Sequence, residues 1–164
     1  MKYLLSLGSN IGDKSANIRA ALTRLKERGV AVEAVSSFYL TMPVDAPPQS
    51  DFVNAAAVVE TSLEPEELLD AIGAIEYELG RVRTVKNGPR IIDIDIVFGE
   101  TGMHRSARLE LPHPRWRERR FVVEPAREIA GRFAPFAATL KNYGPDADTL
   151  KCQTIRKLDE GEKK

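Results

Sequence analysis

Apolar positions along the chain repeat with two different periods, and the switches between them mark out the elements. "KYLLSLG" has strand composition and is cut by Gly8. In "SNIGDKSANIRAALTRLKERG", Ile18, Leu22 and Leu25 fall on one helical face, and Gly29 stands where a helix ends in a left-handed residue. "VAVEAVSSFYLT" predicts a strand, "MPVDAPPQSD" a proline-rich loop and "FVNAAAVVETSL" another strand. "EPEELLDAIGAIEYELG" is the clearest helix. Leu68, Ile72, Ile75 and Leu79 line one side, Pro65 and the acidic Glu64, Glu66 and Glu67 suit its first turn, and Gly80 stops it. A basic loop, "RVRTVKNGP", leads into "GPRIIDIDIVFG", a strand rich in β-branched residues. Beyond Gly99 the pattern weakens. "FVVEPAREIAGRFAPFA" reads as a short strand and a helix, and the charged tail reads as frayed from about residue 155.

The predicted order is β-α-β-β-α-β. It implies a ferredoxin-like α/β (α+β) sheet with two helices on one face and a C-terminal extension. A length of 164 residues suits a single domain over the whole chain.

Charge narrows the possible partners. The 24 basic residues balance the 24 acidic ones, so no global field recruits a polyanion. Recognition by charge must come from local clusters. The single cysteine, Cys152, excludes an intramolecular disulfide and is compatible with a reducing compartment. No stretch nears the roughly 18 apolar residues of a membrane span. These features predict a cytoplasmic protein with no membrane partner.

The unexpected chemistry lies in "RIIDIDI". Period-two geometry puts Asp93 and Asp95 on one face, about 7 Å apart, and Ile92, Ile94 and Ile96 on the other. Two adjacent carboxylates repel and need cations. Magnesium suits them, because it takes a few carboxylates together with water and substrate phosphates; a solvated face paired to arginines is the alternative. Arg81, Arg83 and Arg90 flank the pair and suit a nucleotide's phosphates, or else form plain surface ion pairs. "LPHPRWRERRF" carries Arg115, Arg117, Arg119 and Arg120 with His113 and Trp116. It fits phosphate or nucleic acid, and His113 is open as phosphate donor, general acid/base or capped loop residue. Thr41, Asn54, Phe38 and Phe52 are suited to frame a flat heterocycle, or to fill an ordinary core. "LGSNIGD" lacks the lysine and spacing of a P-loop and reads as a turn and helix start.

Taken in order, "LGSNIGD", "SSFYLTMPV", "FVNAAAVVET", "IEYELGRVR", "GPRIIDIDI" and "LPHPRWRERRFVVEP" resemble the hydroxymethyldihydropterin pyrophosphokinases of folate biosynthesis. The resemblance covers about residues 4 to 130 and implies the same ferredoxin-like fold. It also implies an ATP- and magnesium-dependent reaction. Pyrophosphate passes from ATP to the hydroxymethyl group of 6-hydroxymethyl-7,8-dihydropterin, and AMP is released. By resemblance, Asp93 and Asp95 hold two Mg2+ ions. Arg81, Arg90 and Asp95 serve catalysis. Glu76, Arg81, Arg83, Arg90, His113 and Arg119 bind ATP. Thr41, Pro43, Val44, Phe52, Asn54 and Phe121 form the pterin pocket, with Phe121 stacking on the ring and Asn54 reading its polar edge. The family resemblance also implies a monomer with small-molecule substrates and no nucleic acid. The sequence departs from the family pattern in a short "TVKNGPR" loop, with Asn87 where an aromatic is common, and in Arg117 where a histidine is common. A nucleic-acid-binding module and an inactive relative of the enzyme are the competing readings.

Overall fold

Two helices begin and end on local chemistry. Helix α1 (Lys14–Glu27) starts where the Asp13 carboxylate accepts the Ala16 N–H at 3.1 Å, and stops at Gly29, with φ 76°. Helix α2 (Pro65–Glu78) opens on a proline. Its Glu67 carboxylate accepts the Glu64 N–H at 2.8 Å, and Gly80, with φ 91°, ends it. The structure is a computed structural model that describes residues 1–43, 48–82, 86, 88–143 and 153–159.

The strands are β1 (Lys2–Ser9), β2 (Ala31–Val35), β3 (Tyr39–Thr41), β4 (Phe52–Glu60), β5 (Asp93–Gly99), β6 (His104–Arg105), β7 (Glu110–Leu111) and β8 (Ile155–Lys157). The main sheet runs β5-β1-β4-β3-β8, with β2 also paired to β4, and β6 and β7 form a separate pair. Every ladder of the main sheet is antiparallel. With β2 and β3 counted as one interrupted strand, the spatial order is fourth, first, third, second, the ferredoxin-like order. The interruption has a local cause. The Ser36 hydroxyl accepts the Ala56 N–H at 2.9 Å, where a continuous strand would use its own backbone.

Both predicted helices lie on one face. Ile18, Ala21, Leu22 and Leu25 of α1 and Leu68, Ile72 and Ile75 of α2 pack on Tyr3, Leu5, Leu7, Val53, Ala55, Ala57, Ile94 and Ile96. The C-terminal extension covers part of the other face. Helix α3 (Arg120–Glu128) and helix α4 (Ala134–Leu140) lay Val122, Val123, Ala126 and Phe136 on Leu4, Ala56, Val58, Val97 and Phe98. Phe98, Trp116 and Phe136 meet edge to face with ring centroids 5.2–5.5 Å apart. Val97 is an extra residue against β1, because Leu5 faces Ile96 and Leu4 faces Phe98. This bulge turns both Val97 and Phe98 into the second core.

Three sequence expectations need correction. Gly8 does not cut the first strand. It sits inside β1, paired to Asn54 on one side and Asp93 on the other. The segment from Phe121 holds no strand among the described residues, because its apolar positions follow a helical period on α3. The tail is not frayed at residue 155. Ile155–Lys157 pairs with β3, and Leu158 is buried in the first core. Residues 160–164 lie outside the described residues. Among the described residues, no helix is long and apolar enough to cross a membrane.

Candidate active site

One face of the sheet changes character along its strands. Near the second core it presents Leu4, Ala56, Val58 and Val97 to α3 and α4. At two- and four-residue steps along the same strands come Ser6 and Gly8, Asn54 and Phe52, and Asp95 and Asp93. These lie beyond the helical cover and open into two adjoining cavities. The larger, about 830 Å³, is lined by Glu76, Arg81, Arg90, Asp93, Asp95, His113 and Arg119 among others. The smaller, about 90 Å³, is lined by Ser6, Gly8, Thr41, Pro43, Phe52, Asn54 and Phe121 among others. Arg90, Asp93, Asp95 and Arg119 border both.

The two aspartates are held differently. Asp93 Oδ1 pairs with Arg81 Nη1 at 2.7 Å and Oδ2 with Arg90 Nη1 at 2.8 Å. Asp95 has one ion pair among the described residues, a loose one to Arg119 at 3.7 Å. Burial pushes the Asp95 carboxyl up to about 7, the Asp93 charge adds to this, and Arg119 opposes it only in part. Arg119 is lowered from its ordinary value, mainly by burial. Beneath them Glu76 Oε1 accepts the Ile94 N–H at 2.8 Å and a bond from Arg81. Glu76 therefore ties α2 to β5 and aims Arg81. Burial raises its carboxyl despite these bonds.

His113 follows a cis Leu111–Pro112 bond and donates its backbone N–H to Val97 O at 2.8 Å. Its Nδ1 accepts the Arg115 N–H at 3.1 Å, which leaves the ring proton on Nε2. Burial, with Arg119 and Arg115 nearby, lowers His113 to about 4. It is thus a neutral donor at neutral pH, and more than the capped loop residue, since it also lines the large cavity.

The small pocket is a framed slot. Asn54 is buried and donates from Nδ2 to Thr41 Oγ1 at 2.6 Å. Its Oδ1 lies only 2.7 Å from where a side chain on Gly8 would begin. A larger residue at position 8 would displace that amide, which accounts for a glycine in mid-strand. The Arg90 guanidinium lies 5.9 Å from the Phe52 ring centroid, and that of Arg119 5.7 Å from the Phe121 centroid.

Most of the residues singled out in the sequence come together here. Val44 and Arg83 lie outside the described residues. Phe38 does not join: it packs against the first core, with Arg19 5.1 Å over its ring. Trp116 is only 4% exposed and belongs to the second core, so it offers no open stacking surface in the basic run. Sequence reasoning missed Asn10. Its Oδ1 accepts the Arg90 N–H at 2.8 Å, its Nδ2 donates to Gln49 Oε1 at 2.7 Å and to Ser50 O at 3.1 Å. One side chain thus joins three loops. No spacing rule signals partners 39 to 80 residues away. The mid-strand glycine was a readable signal for Gly8.

Fold and site define a ferredoxin-like α/β protein with a bipartite site, one compartment suited to an anionic ligand and the other to a flat aromatic one. The sequence pattern of the 7,8-dihydro-6-hydroxymethylpterin-pyrophosphokinase (HPPK) family matches residues 4–131, and the chain belongs to that family. It is 44% identical over 126 residues to the 2-amino-4-hydroxy-6-hydroxymethyldihydropteridine pyrophosphokinase of Bacillus subtilis, covering 76% of this chain and 75% of that one. The enzyme of the same name from Methylorubrum extorquens is 46% identical over 127 residues, with 77% and 80% covered. The folic acid synthesis protein fol1 of Pneumocystis carinii is 42% identical over 127 residues, but the match spans only 17% of that longer protein. Among solved structures, an HPPK-DHPS in complex with substrates superposes with a TM-score of 0.57 at 12% identity, covering 86% of this chain and 46% of that one. At that identity the likeness concerns the fold alone.

Proposed function

We propose that this chain transfers the pyrophosphoryl group of ATP to the hydroxymethyl oxygen of 6-hydroxymethyl-7,8-dihydropterin, releasing AMP, and so serves folate biosynthesis. The observation that carries the proposal is the sharing of Arg90, Asp93, Asp95 and Arg119 by a large polar cleft and a small aromatic pocket. A triphosphate in the first and a pterin in the second would meet at that border. The names of the Bacillus and Methylorubrum relatives supply the substrate class.

The residues divide the work on physical grounds. Phe52 and Phe121 line the slot for a flat ring, and buried Asn54 and Thr41 present polar atoms to its edge. Arg81, Arg90 and Arg119 neutralise phosphate oxygens, and neutral His113 donates a hydrogen bond from Nε2. No strong base is required, since alignment and charge neutralisation dominate transfer of this kind.

Two Mg2+ ions fit the acidic pair. The carboxylates share a strand face at the border of both cavities, and Asp95 is poorly neutralised by the protein itself. A pair of carboxylates is enough for magnesium, which takes its other ligands from water and substrate phosphates. When bound, the ions would neutralise phosphate charge between the substrates. Arg81 and Arg90 hold Asp93 in ion pairs, and on this reading they exchange it for phosphate oxygens.

The test is an assay of AMP release from ATP, Mg2+ and the hydroxymethyl pterin. Turnover should appear in the wild type and fall at least about 100-fold in Asp93→Ala and Asp95→Ala, the scale on which losing electrostatic stabilisation acts. No AMP from the wild type, or full activity in both variants, would sink the proposal.

A further inference from the structure

Arg119 and Phe121 both face the small pocket, yet they stand at a weak point of the backbone. A 3-10 turn (Trp116–Glu118) ends just before Arg119, and α3 begins just after it. Arg119 between them is extended, with φ −110° and ψ 98°, and makes no side-chain cap. The start of a helix leaves N–H groups without intrahelical partners.

The missing partner arrives from the far end of the chain. Gln153, only 6% exposed, accepts the Arg120 N–H on Oε1 at 2.8 Å. Its Nε2 donates to the Glu118 carbonyl at 2.6 Å. Its own carbonyl accepts from Arg120 Nη1 at 3.1 Å. A single amide therefore bridges the last residue of one turn and the first of the next, with Arg119 clasped between. The following residues pair with Thr41 and Met42, which also line the pocket. Thr154 O accepts the Met42 N–H at 3.3 Å, and Ile155 pairs with Thr41. Gln153, Thr154 and Ile155 lie beyond residues 4–131, the part that matches the family pattern.

We propose that Gln153 is a positioning residue for the small pocket: its amide fixes the turn that presents Arg119 and Phe121, and the strand behind it ties that turn to Thr41. The link to pterin rests on the function proposed above. Gln153 touches neither cavity and acts only through its neighbours.

The test compares Gln153→Met, which keeps the length and loses the side-chain bonds to Arg120 and Glu118, with Gln153→Glu, which keeps the acceptor for Arg120. Leu25→Ala, in the α1 core, is the reference for general destabilisation. Amide hydrogen exchange at residues 118–121 reads the positioning directly, with no ligand. It should quicken at least about tenfold in Gln153→Met and less in Gln153→Glu, with α1 and α2 protection retained. Unchanged exchange at those amides overturns the inference. Dissociation constants for the hydroxymethyl pterin, measured with a non-hydrolysable ATP analogue and Mg2+, read the consequence. In Gln153→Met the pterin constant should rise about tenfold, while that of the analogue alone changes less than about threefold. Leu25→Ala should lower the melting temperature and leave the pterin constant alone. Equal loss of both ligands, or the same pterin loss in Leu25→Ala, reduces Gln153 to a stabilising residue and also overturns the inference. A wild type that binds no pterin, with fast exchange in Gln153→Met, would overturn the functional reading and leave the positioning role supported.

Discussion

Asn10 and Arg90 clasp each other by their backbones and by one side chain. The Asn10 N–H donates to Arg90 O at 3.1 Å, and the Arg90 N–H donates to Asn10 Oδ1 at 2.8 Å. Arg90 then grips Asp93 and borders both cavities. The position of a guanidinium that borders both cavities, and that we propose binds phosphate, thus depends on an asparagine 80 residues earlier. Asn10→Ala should leave the part-buried Arg90 N–H without this acceptor and free the Gln49–Ser50 segment. We expect a loss of about 1–3 kcal/mol in stability, seen in urea denaturation. Turnover should fall more than that stability loss explains when assayed well below the melting temperature. Wild-type kinetics in a merely less stable protein would show that Arg90 finds its place unaided.

Asp95 is costly to the fold. It is half-buried beside Asp93 and has only a long contact to Arg119. Replacing it with asparagine removes a like charge from beside Asp93 while keeping the shape. Asp95→Asn should therefore melt higher than the wild type by a few degrees, the shift that about 1 kcal/mol produces. The same change should remove AMP production. A gain in stability with a loss of activity is expected where like charges are held together for function. A variant that melts lower would mean that Asp95 is neutralised more fully than its Arg119 contact suggests.

Much of this site was readable in advance, and the unreadable parts share a cause. Asp93 and Asp95 were legible because strand period alone puts them on one face and Ile92, Ile94 and Ile96 in the core, as found. The α1 and α2 boundaries were legible because Gly29 and Gly80 act locally. The C-terminal part was not. Ile155–Lys157 looked like a charged tail because a three-residue edge strand carries no periodicity of its own. Its pairing with Tyr39–Thr41 is set by tertiary packing. Phe38 failed for a similar reason. The break at Ser36 sends its ring toward Arg19 and the first core, away from the slot.

Glu128 on α3 holds the far edge of the sheet and gives the fold an acid limit. Its carboxylate accepts from the Ser37 N–H at 2.9 Å, the Ser37 hydroxyl at 2.7 Å and the Tyr39 hydroxyl at 2.7 Å. Burial pushes its pKa up, but these hydrogen bonds outweigh it, and the group lies below its ordinary value of 4.5. A carboxyl depressed in the folded state stabilises fully above its unfolded value, and that contribution is lost as pH falls through the folded one. Between about pH 5 and pH 3, thermal melts of the wild type should lose stability faster than those of Glu128→Gln. Parallel curves for the two proteins would place the acid sensitivity elsewhere.

Gly8 offers the sharpest separation of fold from site. Its neighbours Leu7 and Ser9 are fully buried, and β1 pairs on both sides, so the strand itself would accept an alanine. The obstacle is one atom. A Cβ at position 8 would start 2.7 Å from Asn54 Oδ1, nearer than non-bonded atoms approach, and 3.6 Å from the Phe52 ring. Asn54 is buried and bonded to Thr41, so it has little room to yield. Gly8→Ala should turn the Asn54 amide away and strain its bond to Thr41. The large cleft, which Gly8 does not line, should be left as it was. We expect pterin affinity to fall about tenfold or more, roughly 1.4 kcal/mol, with affinity for an ATP analogue unchanged. Calorimetric titration with each ligand separates the two. Equal loss of both would mean that the methyl group shifts β1 and, through its pairing, β5 with Asp93, so that the two compartments are coupled through the sheet instead of meeting only at their shared border.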